Sequence, residues 1–229
     1  MTEFSANDPI HCSSAPCLLS EREPSLTHPP APPEQVLING LARVFGLRPD
    51  AERESQHLRD LGRLFQKRLV AADCALEQHR SPWANVYLIQ HGVMRLFREA
   101  PSGKIAIHHF FTEGALVWPV FGRSRTVRNT LCLSAVTPCT LWVADFQSFR
   151  AAVRQHGEGH WAHFALALTE ELAETASMRE FQKQTLSAQQ RYELLLRDYP
   201  ELVRRVPDNQ LASWLGVVPA TFSRLKKGG

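Results

Sequence analysis

Long apolar runs are absent from this 229-residue sequence, although 44% of its residues are hydrophobic. No stretch reaches the roughly 18 consecutive apolar residues that a membrane-spanning helix needs. The N-terminus also lacks the basic flank and apolar centre of a secretory signal. The sequence therefore predicts a cytoplasmic protein with no membrane partner, large enough for one or two compact domains.

Cysteine is scarce and scattered. An odd number of thiols at irregular spacing disfavours a disulfide framework. No third thiol lies near the first two, so neither a metal ion nor an iron–sulfur centre is predicted. Buried or incidental thiols are the preferred interpretation of all five, which are Cys12, Cys17, Cys74, Cys132 and Cys139.

Catalytic motifs are missing as well. The sequence has no nucleophile with a base at motif spacing, no phosphate-binding loop and no pattern of metal ligands. We therefore predict a protein that is not an enzyme, with no catalytic residues and no bound metal.

Positive charge is concentrated at one end of the chain. The net charge is only +3, which does not by itself indicate a nucleic-acid partner. Residues 187–229, however, contain seven Lys/Arg and four Asp/Glu, and thus carry the whole excess. The last six residues include Arg224, Lys226 and Lys227 and no acid. A basic cluster of this kind is one feature of nucleic-acid-binding proteins.

The residue pattern divides the rest of the chain. Residues 1–33 are polar and rich in proline, which predicts a disordered arm. Apolar spacings near 3.6 predict helix from residue 34 to 65. Short apolar or alternating runs, broken by turn residues, predict antiparallel strands from 67 to 146. Asp145 opens a further short helix. We assign residues 34–155 to an antiparallel β-roll sensor domain with flanking helices, in an α+β fold.

A long helix is predicted from about residue 160 to 186. Its apolar stripe is Phe164, Leu168, Leu172 and Thr175, at spacings of four, four and three. Such a stripe either packs on the helix's own domain or forms a two-helix seam between two copies. We favour a homodimer with residues 156–186 as its dimerisation helix, because one narrow stripe on a long helix usually meets a partner helix.

A helix-turn-helix is predicted in the last part of residues 187–229, after a helix over 188–198. Asp208 can cap the first of its two helices, and Gly216 can adopt the positive φ of a helix exit. Pro219 suits the first turn of the second helix. The spacing predicts five inward-facing residues, namely Leu211 and Leu215 on the first helix and Val218, Phe222 and Leu225 on the second.

The outer face of the second helix is small and basic. Small residues allow close approach to the groove floor, an arginine can donate two hydrogen bonds to guanine, and a lysine neutralises phosphate. Double-stranded DNA is therefore the predicted partner, and an ordinary helical hairpin with a solvated basic face is the alternative. The candidate DNA-binding residues are Ala220, Thr221, Ser223, Arg224, Lys226 and Lys227.

From about residue 60 to its end the chain resembles the Crp/Fnr family of bacterial regulators. The resemblance is carried by Val86–Phe97, Ser102–Lys104, His109–Gly114 and Pro207–Arg224. It implies a β-roll effector domain, a long dimer helix and a DNA-binding unit that reads a palindromic operator. It also implies RNA polymerase as a further partner.

Two residues depart from the family pattern. Val218 stands where the family usually has a Ser or Thr that caps the recognition helix, and losing that cap should cost about 0.5–2 kcal/mol. Ala220 stands where the family usually has a base-reading Glu, so the usual half-site is not expected. These departures favour the competing hypothesis of a ligand-binding or protein-interaction module with a degenerate helix-turn-helix that does not bind DNA.

The effector is not a cyclic nucleotide if the family pattern holds. Members that bind one use a Gly-Glu pair and an Arg-Ser or Arg-Thr, whereas this chain reads Glu-Gly-Ala-Leu at 113–116 and Asn-Thr at 129–130. Nearby residues could replace the phosphate contact, although a surface loop is the alternative. The candidate effector pocket is Glu113, Trp118, Arg125, Thr126 and Arg128, and Trp118 could equally be core.

No cofactor is predicted. The cysteines are too few and wrongly spaced for the family's iron–sulfur members, and histidines on strands are more often structural than haem ligands. A small apolar effector, or none, is the remaining expectation.

Overall fold

The computed structural model describes residues 33–78, 81, 83–100, 102–118, 131–155 and 157–228. The predicted disordered arm, except for its last residue, lies outside the described residues. Three members of the predicted effector pocket, Arg125, Thr126 and Arg128, also lie outside them. Within the described ranges, no helix has both the length and the apolar character needed to cross a lipid bilayer.

The helical region before the strands is interrupted. Helix α1 spans Pro33–Phe45 and helix α2 spans Glu52–Gly62, so the prediction of helix throughout 34–65 was wrong between them. Gly46 follows α1 with φ 64°, in the left-handed region where glycine is favoured. Pro49 in the same link disfavours a helical residue before it.

The strands form two four-stranded antiparallel sheets, as the short and closely spaced runs predicted. Their orders are β1-β8-β3-β6 and β2-β7-β4-β5. Fully buried Ile89, Met94, Leu133 and Leu141 lie in the core of this β-roll. The strand bounds are β1 Gln66–Val70, β2 Ala75–Glu77, β3 Asn85–His91, β4 Met94–Glu99, β5 Ile105–Phe111, β6 Leu116–Val117, β7 Leu131–Ala135 and β8 Cys139–Asp145.

Two helices follow the roll. Helix α3 spans Phe146–Gln155 and begins directly after Asp145, as predicted. The Asp145 carboxylate caps it, accepting hydrogen bonds from the Ser148 N–H at 2.8 Å and the Ser148 hydroxyl at 2.7 Å. Helix α4 spans Glu158–Thr185, close to the predicted long helix.

The C-terminal helices form a separate layer, which we call the head. It consists of α5 (Ala188–Asp198), α6 (Pro200–Arg205), α7 (Asp208–Leu215) and α8 (Pro219–Gly228). The short α6 was not predicted, because the proline that ends α5 also begins α6 at its first position. The α+β prediction is confirmed.

Candidate nucleic-acid interface

Helices α7 and α8 form a helix-turn-helix. Helix α7 ends at Gly216, whose φ of 74° and N–H bond to the Ser213 carbonyl turn the chain away from the helix axis. Leu211 is fully buried and Phe222 is 1% exposed, so the inner sides of the two helices share one core. The Phe222 ring meets Tyr192 of α5 edge to face at 5.5 Å, which fixes α8 against the rest of the head.

The predicted cap of α7 is wrong. Pro207 takes the N-cap position and Asp208 is already the first helical residue, so its side chain does not reach back to the free amides. The Asp208 carboxylate instead accepts from Nζ of Lys226 at 2.9 and 3.0 Å. This ion pair ties the start of α7 to the end of α8.

The predicted inward position of Val218 is also wrong. Its side chain is 62% exposed, and the neighbouring Val217 packs against the head core instead. The Val218 carbonyl accepts from the N–H groups of Thr221 and Phe222, so Val218 occupies the N-cap and helical periodicity does not apply to it. Because valine has no side-chain oxygen, the start of α8 has no side-chain cap there.

The outer face of α8 is open to solvent. Ala220, Ser223, Arg224, Lys226 and Lys227 are exposed, and Thr221 is half-buried. The Arg224 guanidinium lies along its own helix, with Nε 3.4 Å from the Ala220 carbonyl and Nη2 3.4 Å from Oγ1 of Thr221. The six candidate DNA-binding residues therefore belong to one helix, and none is buried against the β-roll.

The opposite side of the head docks on the β-roll through Trp214. This indole meets Phe110 of β5 edge to face at 5.6 Å, and the Arg179 guanidinium of α4 stacks on it at 4.7 Å. Arg179 also donates to the carbonyls of Trp214, at 2.7 Å, and of His108. Burial lowers the pKa of Arg179 to about 10. Ser213 adds a hydrogen bond from Oγ to the Ile105 carbonyl at 2.8 Å. We call these contacts the head seam.

Glu113, predicted as an effector ligand, belongs to the link between roll and head. Its carboxylate accepts from the Arg205 guanidinium of α6 at 2.6 and 2.9 Å, and from the Gly92 N–H at 2.9 Å. Burial alone would raise the pKa of Glu113, but these hydrogen bonds outweigh it and lower the pKa to about 2. The effector role of Glu113 stays a prediction; in the structure Arg205 occupies its carboxylate, and Glu113 is not among the described residues that line the nearby cavity.

A cavity of about 670 Å³ lies between the roll, α4 and the head. Trp118 lines it, together with Phe111 and Leu168 on one side and Tyr199 and Trp214 of the head on the other. Its volume is that of a site for a small organic ligand. His109 also lines it, and burial, together with the charge of Arg179, lowers the pKa of His109 to about 4, so that its imidazole is neutral at pH 7.

The predicted dimer stripe faces its own chain. Phe164 is 5% exposed and stacks on Phe45 of α1 at 4.6 Å. Leu168 and Leu172 pack against the clusters of the roll, and both line the cavity with Thr175. The stripe therefore packs on its own domain, as the alternative interpretation had it, and a two-helix seam through these four residues stays a prediction. Two exposed large apolar residues of α4, Leu166 and Phe181, lie on its other side, whereas exposed Met178 lies next to Thr175 at the edge of the stripe.

Comparison with known proteins agrees with this architecture. No family model matches the sequence, and no curated protein matches it. Among solved structures, the chain is similar to the c-di-GMP-responsive global regulator CLP of Xanthomonas campestris, with a TM-score of 0.59, 14% identity, and coverage of 76% of this chain and 90% of CLP.

Two further structures are similar. FixK2 of Bradyrhizobium japonicum has a TM-score of 0.59 and 17% identity, over 72% of this chain and 83% of FixK2. A protein of Eubacterium rectale described as a Crp/Fnr-family transcriptional regulator has a TM-score of 0.60 and 11% identity, over 76% and 82% of the two chains. At these identities the likeness is one of fold. The chain has a Crp/Fnr-like fold, as its resemblance to that family predicted.

Proposed function

We propose that this chain is a homodimeric DNA-binding transcription regulator of the Crp/Fnr type. The observation that carries the proposal is the exposed outer face of α8, where Arg224 and Lys227 stand on a folded helix-turn-helix. In this arrangement α8 is the recognition helix and enters the major groove, while α7 crosses the DNA backbone. Two copies related by a twofold axis present two such helices, so the operator is a palindrome.

The dimer contact in this proposal runs along the exposed side of α4. Leu166 is 57% and Phe181 58% exposed, on a helix of 28 residues whose other side packs on the roll. A second copy of α4 would cover these side chains in a two-helix seam. Size-exclusion chromatography with light scattering tests this contact. Leu166→Glu combined with Phe181→Glu should give a monomer, and a wild-type chain that is monomeric at micromolar concentration would contradict it.

The signal in this proposal is a small, largely apolar molecule bound in the cavity between roll and head. Among the described residues that line that cavity, three carboxylates, from Glu171, Asp198 and Glu201, stand against the guanidinium of Arg43 and the neutral imidazole of His109. This balance disfavours an anionic nucleotide. Both the roll and the head contribute walls, so a ligand there would favour one position of the head over another.

A second candidate function is a protein-interaction module that does not bind DNA. The uncapped, exposed Val218 and the absence of a base-reading carboxylate at Ala220 favour it. Neither proposed function includes a catalytic role. RNA polymerase is a partner only of the DNA-binding regulator.

Salt-dependent binding separates the two functions. The full chain is titrated onto fluorescent fragments of genomic DNA from its source organism at several salt concentrations. If Lys226 and Lys227 of two copies neutralise four phosphates, log K should fall against log[salt] with a slope of about −4. Binding that is undetectable, or unaffected by salt, would reject the regulator and leave the interaction module.

A further inference from the structure

The start of α8 presents an apolar edge to solvent. Val218, Pro219 and Ala220 are consecutive and exposed, and none of their side chains can donate or accept a hydrogen bond. In helix-turn-helix proteins the N-terminal residues of the recognition helix are those that contact base edges. In this chain the first three side chains at that end, up to Ala220, can make only apolar contacts.

Valine is an unfavourable residue at the position that Val218 occupies. Val218 holds the N-cap of α8, with its carbonyl 2.9 Å from the Thr221 nitrogen and 3.1 Å from the Phe222 nitrogen. Ser, Thr, Asp or Asn would stabilise the helix there, and valine does not. Nor does Val218 contribute to the core, since it is 62% exposed while Val217 packs inward. An exposed branched apolar side chain where a polar one is favoured is typical of a contact surface.

Only one base offers an apolar group at its major-groove edge. Thymine has a C5-methyl group, whereas the other three bases present only hydrogen-bond donors and acceptors there. We propose, on the basis of the DNA-binding function above, that Val218, Pro219 and Ala220 contact this methyl group and select for thymine in each half-site. The basic residues Arg224, Lys226 and Lys227, further along the same helix, match the charge of the duplex that this edge would enter.

The helix geometry limits where that thymine lies. Arg224 is six residues beyond Val218, which is about 9 Å along the helix axis. This distance corresponds to about three base pairs at roughly 3.4 Å each. Because Arg224 can donate two hydrogen bonds to guanine, the preferred half-site should have a thymine and a guanine within about three base pairs of each other.

The test begins with a selection of bound duplexes from a random-sequence library by the full chain. In the best duplex, each thymine is then replaced in turn by deoxyuridine, which lacks the methyl group but keeps every hydrogen-bonding group. At one thymine in each half-site the replacement should weaken binding about fourfold, the factor expected for burial of one apolar carbon.

Two matched variants assign the effect to Val218. Val218→Ala removes two carbons from the edge and should reduce the deoxyuridine effect to less than about twofold, as expected when two groups that contact each other are changed together. Val217→Ala makes the same change one residue earlier and should keep the fourfold effect of deoxyuridine. It should lower the stability of the chain somewhat, because Val217 packs against the head core. The measurement on the wild-type chain does not depend on the folding of either variant.

The outcomes that contradict the inference also show whether the proposed function fails with it. If the selected duplexes bind with steep salt dependence but tolerate deoxyuridine at every thymine, the apolar edge does not read thymine and the proposed function stands. If Val217→Ala reduces the effect as much as Val218→Ala, the inference is overturned as well, since the head core would be responsible. If no duplex is selected and no salt-dependent binding occurs, the regulator and the inference both fail.

Discussion

The inward and outward faces of the head differ in composition and in environment. The inward face carries Trp214 and Leu211, buried together with residues of the β-roll in one apolar cluster. The outward face carries Ser223, Arg224 and Lys227 in solvent. Burial and packing dominate stability, whereas exposed basic groups contribute mainly to association with DNA. Substitutions on the two faces should therefore change different properties.

Trp214→Ala should have the largest effect. It removes the ring that Phe110, Tyr199 and Arg179 contact, and should lower the free energy of unfolding by about 3–5 kcal/mol. Urea denaturation measures this loss. The outward-face control Ser223→Ala should stay within about 0.5 kcal/mol of the wild type. A loss below about 1 kcal/mol for Trp214→Ala would mean that the head seam contributes little to stability.

Arg224→Ala should produce the opposite pattern. Loss of a bidentate guanidinium should weaken binding to the preferred duplex by about 1–3 kcal/mol, with the free energy of unfolding unchanged within about 0.5 kcal/mol. Fluorescence anisotropy at fixed salt gives the affinity. Arg204→Ala is a matched control, because it removes the same charge from exposed Arg204 of α6. Equal losses from the two variants would exclude Arg224 from base reading and leave only a general charge effect.

The sequence predicted those parts of the fold that depend on local pattern. The short apolar run Val86–Ile89 and the spacing of Leu211 and Leu215 are local signals, and a strand and a helix form where they were predicted. Gly46 and Pro49 are local signals too, and because both disfavour continued helix they identify the break between α1 and α2.

The head seam could not be predicted in the same way. Glu113 and Arg205 are 92 residues apart in sequence, and Arg179 and Trp214 are 35 apart, so no periodicity connects them. The stripe at Phe164 shows a related limit, because an apolar face on a helix predicts burial but not which surface covers it. Exposed Val218 shows a third limit. A shift of one residue in the predicted start of a helix changes the direction in which a side chain points.

Glu113→Gln tests whether the link between roll and head depends on charge. The pKa of Glu113 is lowered from an ordinary 4.5 to about 2, so its contribution to stability is complete above about pH 4.5 and is lost as the pH falls towards 2. The carboxylate is 37% exposed and solvent screens it, so the variant should lose no more than about 1 kcal/mol at pH 7. Urea denaturation from pH 7 down to 2 should show the two proteins converging. A difference that persists at pH 2 would indicate a packing effect.

Asp208→Asn should have the smallest effect and concerns the boundary between the two faces. Its ion pair with Lys226 joins two side chains that are each about half exposed, at 51% and 52%, so stability should change by less than about 0.5 kcal/mol. Binding should respond in the other direction, because the substitution removes a negative charge beside the recognition helix and releases Lys226 towards phosphate. Affinity for DNA should rise up to about threefold at low salt, and the gain should vanish at high salt as screening increases. A fall in affinity would show instead that Asp208 positions Lys226 for binding. The ion pair would then belong to the DNA-binding surface of the outward face.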